Sequence, residues 1–325
     1  MGPMSTRAPI ATVLCVGQAT LDHVFTVGGE LRAGHKHVAD AHATVGGGVA
    51  ANAAVTVARL GGRAVLAGRI GHDHAGDLVA AGLEAEHVDT RLLDRATDAT
   101  TPVSAVIVGP DGGRTIVNHT PTRLFDDGRP DLEGVAPEAV LVDGRWPAGT
   151  AAGLDLARRL GVAGVVDVDR RPADDELATM FDLASHLVFG QDAAAAVTGI
   201  SDPEPALRRL AGMAGMAGMA GLAGMAGATS TLVAVTCGEQ GVWWSEEGDV
   251  RWLPALSVEA VDTTAAGDVF HGALALALAE GMTTADALGF ATTASAIKCS
   301  RRGAREGIPT RHEVDERITH PVGGH

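Results

Sequence analysis

The stretch "VDTTAAGDVFHGA" at residues 261–273 decides how the rest of this chain is interpreted. Asp262 and Asp268 bracket two threonines, two alanines and a glycine, and after Asp268 the sequence becomes apolar at helical spacing. The pattern predicts a helix over residues 266–280, with Gly281 as its C-cap. The first backbone amides of a helix have no partner inside it, so this helix start is suited to bind an anion.

Small side chains at residues 265–267 would let a phosphate group approach those amides. Asp268 beside them could accept a proton from a hydroxyl group while the amides neutralise negative charge. That combination is what phosphoryl transfer to an alcohol requires. The motif alone is equally compatible with an acidic residue that only complements the helix dipole.

Apolar, strand-like runs alternate with helical stretches along the chain, which indicates an α/β fold with a doubly wound, mostly parallel sheet flanked by helices. The predicted helices include residues 49–62 and 74–86. The predicted buried strands are 11–17, 63–71, 139–144, 162–169, 185–190 and 230–238.

Two segments, 35–45 and 101–121, look extended, and the second contains a "GPDGG" turn typical of a hairpin. They predict a small β-sheet lid over a single domain spanning residues 9–318, with lid strands drawn from about 23–45 and 101–121. Residues 1–8 and 319–325 are expected to be flexible tails. The Gly/Met/Ala repeat at 212–227 is interpreted as a repeat expansion in a surface helix or loop, without a function.

The composition excludes several functional classes. The 325 residues carry a formal net charge of -15, which argues against a nucleic-acid binder, and 46% hydrophobic content is enough for a large core. Neither a signal peptide nor a membrane span is apparent, so a cytoplasmic location is expected. Three widely spaced cysteines favour reduced thiols, and no Cys/His spacing indicates a metal site.

The 261–273 motif closely resembles the C-terminal signature of the ribokinase-like (PfkB) carbohydrate kinases. The N-terminal signature of that family is resembled by "GGGVAANAAVTVARLGG" at 46–62 and "AGRIGHDHAGD" at 67–77. The resemblance runs from "VLCVGQATLDH" to "GIP" at 307–309. It implies a ribokinase-like fold with a β lid, a small-molecule sugar as substrate, and ATP with Mg²⁺ held mainly through phosphates and water.

The resemblance also implies roles for individual residues. Asp268 would be the base, and the backbone amides of Ala265, Ala266 and Gly267 would form the anion hole. Some family members bind a monovalent cation near the loop that here holds Asp262 and Thr264. The sugar-binding residues would include Asp22, Gly46, Gly47 and Asn52, and the nucleotide-binding residues would be Thr236, Gly238 and Gly241.

One family pattern is absent. An N-x-x-E motif linked to magnesium and phosphate handling is replaced by Gly190 and Ala193, with Gln191 or Asp192 as substitutes. Lid strands with exposed edges could pair between subunits, which predicts a homodimer.

Within the family, several stretches resemble the sulfofructose kinases, and Lys36, Asn118 and Arg145 match positions for a sulfonate. The favoured substrate is therefore a ketose-like sugar with an anionic tail, phosphorylated on a hydroxymethyl group: 6-deoxy-6-sulfofructose giving its 1-phosphate. The alternatives are ribokinase, fructokinase, fructose-6-phosphate kinase or nucleoside kinase activity, or a non-catalytic sensor on the same fold.

Overall fold

A computed structural model describes residues 10–110, 113–126, 128–221, 232–246 and 248–319, and only the backbone of 216–221. The predicted tails, apart from Thr319, and the end of the 212–227 repeat lie outside these residues. The strands are β1 Thr12–Gly17, β2 Thr20–Thr26, β3 Ala41–Gly47, β4 Arg63–Gly71, β5 Asp89–Ala96, β6 Val103–Val108, β7 Arg114–His119, β8 Ala139–Val142, β9 Ala163–Val168, β10 His186–Gly190, β11 Leu232–Thr236, β12 Val242–Glu246 and β13 Asp249–Leu253. The helices are α1 Val49–Arg59, α2 His74–Ala85, α3 Pro147–Leu160, α4 Asp174–Leu183, α5 Gln191–Thr198, α6 Pro203–Gly221, α7 Ala266–Ala279, α8 Thr284–Cys299 and α9 Arg311–Thr319.

The main sheet has nine strands in the order β13-β12-β11-β10-β9-β8-β1-β4-β5. All its pairings are parallel except those that join β11, β12 and β13. Strands such as β8, buried along their whole length, lie between two hydrophobic clusters, one for each face of the sheet. This confirms the predicted α/β class, because continuous apolar strands are stable only when helices cover both faces.

The strand order reverses at β1, which pairs with β4 on one side and with β8 on the other. In open α/β sheets a crevice forms at such a point, beyond the carboxyl ends of the strands. Asp143, directly after β8, connects three segments that line the crevice. Its carboxylate accepts hydrogen bonds from the backbone amides of Gln18 at 2.7 Å, Ala50 at 3.1 Å and Arg145 at 2.9 Å. Burial raises the pKa of Asp143 to about 6, although these bonds oppose the shift.

The second sheet has four strands in the order β3-β2-β6-β7, and it is the predicted lid. The β6–β7 hairpin flanks the "GPDGG" turn as expected. The prediction of an extended segment over 35–45 was wrong at its start, because β3 begins at Ala41. Ala41 pairs with Thr26, the last residue of β2, so residues before it have no partner strand.

The antiparallel edge β12–β13 and the strand β5 were not predicted. The two edge strands pair Trp243 with Trp252, whose rings lie 5.9 Å apart. Charged and half-exposed residues in β5 and β13 mask the apolar pattern that identifies buried strands. Among the helices described, none combines the length and the apolar character that crossing a membrane would need.

Candidate active site

Helix α7 begins where the sequence predicted, and its first residues form a tight turn. Ala265, the N-cap, has the left-handed backbone conformation with φ 61°. The Ala266 amide donates a long bond of 3.3 Å to the Thr263 carbonyl. Within the described residues, the amides of Ala265 and Gly267 have no hydrogen-bond partner. The turn therefore presents unpaired backbone donors, as an anion hole requires.

Two side chains fix the direction of these amides. Ser295 on α8 donates to the Ala266 carbonyl at 2.9 Å, and His271 Nδ1 lies 2.7 Å from the Gly267 carbonyl. In a trans peptide the carbonyl and the following N–H point in opposite directions. The bond from Ser295 directs the Ala266 carbonyl towards α8, so the Gly267 amide points away from α8. His271 holds the Gly267 carbonyl, so the Asp268 amide points away from the His271 ring.

Asp268 is half-buried in the first turn of α7, and Asn52 of α1 donates to its Oδ2 at 2.7 Å. Burial raises the pKa of Asp268 to about 7, and the carboxylates of Asp167 and Asp169 add to this rise. The bond from Asn52 and the positive charge of His271 oppose it. A carboxylate with a pKa near neutrality can both take up and release a proton at physiological pH.

Behind Asp268 lies a buried pair, His271 and Asp167, with His271 Nδ1 3.0 Å from Asp167 Oδ2. Burial disfavours the charged imidazole, but the Asp167 carboxylate outweighs it, so the pKa of His271 is raised. Nδ1 faces two acceptors, the Gly267 carbonyl and Asp167, and therefore carries a proton. Sequence reasoning did not identify His271 as part of the site, because its partner Asp167 is distant in the chain.

The predicted sugar-binding residues converge at the base of the lid. A Cβ atom at Gly47 would lie 2.1 Å from Asp22 Oδ2, and one at Gly46 would lie 2.1 Å from Arg305 Nη1. Only glycine allows these side chains to approach the β3 backbone so closely. Asp22, Gly46, Gly47 and Asn52 therefore lie close together, with Asn52 connected through Arg305.

Arg305 was not predicted, although it is central to this region. Its side chain is buried, and its Nε donates to Asn52 Oδ1 at 2.9 Å. Since Arg305 holds the amide oxygen of Asn52, the amide nitrogen is directed to Asp268. Burial lowers the pKa of Arg305 to about 10, and in the described chain no carboxylate lies within ion-pair distance of it.

Three neighbouring strands of the lid, β2, β6 and β7, carry a row of polar residues in register. Asp22 on β2 pairs with Ser104 on β6, which pairs in turn with Asn118 on β7. Asn118 Nδ2 donates to Ser104 Oγ at 3.1 Å, and Thr120 donates to Asn118 Oδ1 at 2.9 Å. Gln18 joins this row through a 2.7 Å bond to Thr120. Asn118 is therefore connected to the crevice below the lid.

The two other residues predicted to bind an anionic tail differ in their surroundings. Lys36 is exposed in the loop before β3 and makes no hydrogen bond or ion pair with a described residue. Arg145 follows β8 and forms an ion pair with Asp169. Its Nε is buried and has no hydrogen-bond partner among the residues that the structure describes. The structure does not place Lys36 and Arg145 in contact with each other.

The predicted nucleotide-binding residues lie at the carboxyl end of β11. Thr236 ends the strand, and Gly238 opens a short 3-10 turn that closes at Gly241. Gly241 has φ 91°, and a Cβ atom there would lie 2.1 Å from the Leu253 carbonyl oxygen. The fold itself therefore requires glycine at this position, whether or not a nucleotide binds. Gln191 and Asp192 start α5 after the neighbouring strand β10.

The lid also reaches the loop before the anion hole. Arg114 at the start of β7 places Nη1 3.2 Å from Asp262 Oδ1, contacts Thr264 Oγ1 with the same nitrogen, and donates from Nη2 to Thr263 Oγ1 at 3.0 Å. No pattern in the sequence predicts this contact, because it depends on how the lid packs against the main domain.

Comparison with known proteins agrees with this geometry. A family model described as pfkB family carbohydrate kinase matches residues 11–311. A ribokinase of Bacillus subtilis (strain 168) is 29% identical, covering 94% of this chain and 99% of that protein.

Among solved structures, one of an Agrobacterium tumefaciens protein assigned as a ribokinase has a TM-score of 0.87 at 34% identity, covering 97% of this chain and 100% of that one. A ribokinase from Cryptococcus neoformans in complex with ADP has a TM-score of 0.71 at 25% identity, covering 95% and 99%. The match over nearly the whole chain shows that this protein belongs to the pfkB family and is an ATP-dependent carbohydrate kinase.

Proposed function

We propose that Asp268 takes the proton from a hydroxymethyl group of the sugar while the amides of Ala265, Ala266 and Gly267 receive the transferring phosphoryl group. The observation that carries this proposal is a half-buried carboxylate, with a pKa raised to about 7, beside unpaired amides at one helix start. Asn52 occupies Asp268 Oδ2, which leaves Oδ1 for the hydroxyl. The amides would then stabilise charge that develops during transfer.

ATP and Mg²⁺ are the proposed cofactors. Thr236, Gly238 and Gly241 would hold the nucleotide at the carboxyl end of β11. In the part of the chain that is described, no group of three histidine, cysteine or acidic residues could hold a metal unaided. Mg²⁺ is therefore expected to arrive with ATP, held mainly by phosphates and water, which suits its preference for keeping several waters.

For the substrate, we favour a ketose-like sugar with an anionic tail, and 6-deoxy-6-sulfofructose, converted to its 1-phosphate, is the first candidate. Lys36 supports an anionic tail because its ammonium is exposed in the lid and has no acidic partner in the described chain. Arg145 would have to exchange its Asp169 partner for the substrate. Asn118 offers neutral donors from the polar row of the lid.

A neutral sugar is the second candidate. The relatives named above are ribokinases, which favours ribose as the substrate. Another relative is a fructokinase, so fructose is a second neutral candidate. The pairing of Arg145 with Asp169 favours it as well, because a neutralised arginine attracts an anion less. Fructose-6-phosphate and nucleoside kinase activity remain as further outcomes of the test.

A coupled ADP-release assay over sulfofructose, fructose 6-phosphate, fructose, ribose and adenosine separates these functions. We expect the highest kcat/KM with sulfofructose. Lys36→Ala and Arg145→Ala should each raise the KM for an anionic sugar by about tenfold, the cost of losing one charged hydrogen bond. The KM for a neutral sugar should stay unchanged. A preference for ribose that neither substitution affects would reject the anionic tail.

We also propose a homodimer formed through the lid strands. β7 is exposed along its whole length, and Ile116 and Val117 are 57% and 64% exposed. An exposed apolar edge strand invites pairing with a second copy. Light scattering on the wild-type chain should give twice the monomer mass, and Val117→Asp should give the monomer. A monomeric wild type would reject the dimer.

A further inference from the structure

The chain has two lysines, Lys36 and Lys298, and the second is completely buried. Lys298 lies in the last turn of α8. Its Nζ donates to the main-chain carbonyl of Asp262 at 2.7 Å and lies 3.8 Å from Asp262 Oδ1. A buried ammonium costs several kcal/mol in lost hydration unless polar groups compensate it, so its position needs an explanation.

The remaining oxygens of Asp262 also have protein donors. Oδ1 accepts from the Thr264 amide at 2.8 Å and from the Thr264 hydroxyl at 2.6 Å. Oδ2 accepts from the Gly303 amide at 3.0 Å. Arg114 approaches Oδ1 from the lid at 3.2 Å. Asp262 is therefore held by two protein cations and by several backbone and side-chain donors.

A monovalent cation near Asp262 and Thr264, which the family resemblance allowed, does not fit this arrangement. It would need the oxygens that already accept bonds from Lys298, Thr264 and Gly303. It would also lie beside the ammonium of Lys298 and the guanidinium of Arg114, and like charges at such distances repel each other.

Lys298 also shares its task with Ser295, one helical turn earlier on α8. Ser295 holds the Ala266 carbonyl at 2.9 Å, and Lys298 holds the Asp262 carbonyl at 2.7 Å. The two side chains thus hold both ends of the 262–266 loop, from which α7 begins. Burial lowers the pKa of Lys298 from its ordinary value, and the Asp262 carboxylate opposes this change.

We propose that the Lys298 ammonium takes the place of a bound monovalent cation beneath the phosphate-receiving loop, so that this kinase needs no K⁺ or Na⁺. Lys298 is a positioning residue, since it acts on the anion hole through the carbonyl and carboxylate of Asp262. The inference depends on carbohydrate kinase activity in general. It holds for whichever sugar proves to be the substrate, so it can fail independently of the proposed sugar.

The first test measures activity in a tetramethylammonium buffer with and without K⁺, Na⁺ or NH₄⁺. The wild type should change by less than about twofold, within the range of general salt effects. Lys298→Ala should lose about tenfold or more in kcat without a small cation, because it leaves the Asp262 oxygens uncompensated. NH₄⁺ or K⁺ should restore most of that loss by entering the space that the side chain vacated.

Lys298→Met is the matched control, since it removes the charge and keeps most of the volume. It should lose activity as Lys298→Ala does, but small cations should not restore it. A purely structural role for the lysine stem predicts the reverse order: Met would be nearly normal, Ala would be impaired, and neither would respond to cations.

Two measurements do not depend on turnover. In protein labelled with ¹⁵N-lysine, two Nζ signals are expected, and Lys36→Ala identifies one of them. The Lys298 signal should be that of an ammonium with slow hydrogen exchange at neutral pH. The melting temperature of Lys298→Ala should rise with added K⁺, since a ligand that binds only the folded state stabilises it, whereas that of the wild type should not.

Activation of the wild type by K⁺ of about tenfold or more would overturn the proposal, since general salt effects are smaller. Full activity of Lys298→Ala without small cations would overturn it as well. If Lys298→Ala does not fold, the wild-type cation titration and the Nζ signal decide the question. A cation-independent wild type with a protected ammonium supports the inference, and a neutral or rapidly exchanging Nζ rejects it.

Discussion

At the scale of single residues, Asp268 is surrounded by groups of both charge signs, and their balance sets the pH at which it can act as a base. Because its pKa is raised to about 7, kcat/KM should increase as the pH rises through about 7 and then level off. Asn52→Leu removes a donor that lowers this pKa, so it should move the rise to higher pH. Asp169→Asn removes a charge that raises the pKa and should move it to lower pH.

The check is a pH profile of kcat/KM for the three proteins. Asp268→Asn serves as the reference and should lose kcat by at least about a hundredfold, the usual contribution of a general base. Opposite displacements for the two neighbouring variants would identify Asp268 as the titrating group. A profile that neither substitution moves would assign the titration to another residue.

Ala265 carries a backbone conformation that suits glycine. Its φ of 61° costs an L-residue roughly 1 kcal/mol, since the Cβ approaches the carbonyl oxygen. Ala265→Gly should therefore raise the free energy of unfolding by about 1 kcal/mol while kcat stays within about twofold. His87 is the comparator, with φ 60° at the end of α2.

Denaturant unfolding measures the free energy of unfolding of Ala265→Gly and of His87→Gly. Equal gains would show that the strain is purely local. If Ala265→Gly gained stability but lost most of its kcat, the alanine methyl would be needed to hold the anion hole, and relief of backbone strain would be the wrong account of this residue.

At the scale of elements, Arg114 connects the lid hairpin to the loop that precedes α7. The contact spans Asp262, Thr263 and Thr264, so it joins the lid to the loop from which α7 begins. Arg114→Ala should raise the KM for the sugar by about tenfold, the cost of lost charge-assisted bonds, with little change in global stability.

Arg95→Ala is the matched control, since Arg95 forms an ion pair with Asp77 on the surface between β5 and α2. Its steady-state kinetics should equal those of the wild type. Measurement of KM and of the melting temperature for both variants tests the coupling. An unchanged KM in Arg114→Ala would show that the lid closes without this contact.

The elements also show how far sequence reasoning reaches. The helix start at Ala266, the strand β1 and the lid hairpin β6–β7 were predicted, because each depends on local periodicity or turn chemistry. Arg305 and Arg114 were not, because their partners are set by packing between distant segments. Arg305, for example, contacts Asn52 across 253 positions in sequence.

At the scale of the whole molecule, the parallel sheet brings the ends of distant strands to one edge. Asp143 follows β8 and Asp169 follows β9. Asp268 lies in the first turn of α7, which packs against both strands. A chain with a net charge of -15 thus concentrates carboxylates in its crevice. Burial raises the pKa values of Asp143, Asp169 and Asp268, and neighbouring carboxylates add to the rise at Asp169 and Asp268.

The raised pKa of the buried Asp268 carboxyl has a consequence for stability. The folded state keeps the Asp268 proton up to a pH of about 7, whereas the unfolded chain releases it near the ordinary value of 3.8. Between those values the unfolded state binds fewer protons than the folded state, so the contribution of Asp268 to stability falls as the pH rises. Above about 7 the cost is complete and constant.

Asp268→Asn removes that cost and should be more stable than the wild type by at least about 1 kcal/mol at a pH of about 8, a conservative figure for a shift of this size. The difference should shrink as the pH falls through the same window and vanish near 4. Denaturant unfolding across this range measures it, with Asp182→Asn on the exposed surface of α4 as the control. A difference that is independent of pH, or the same in both variants, would mean that ionisation of Asp268 costs the fold nothing, and the inactive variant would then owe its stability to something other than the removal of a buried charge.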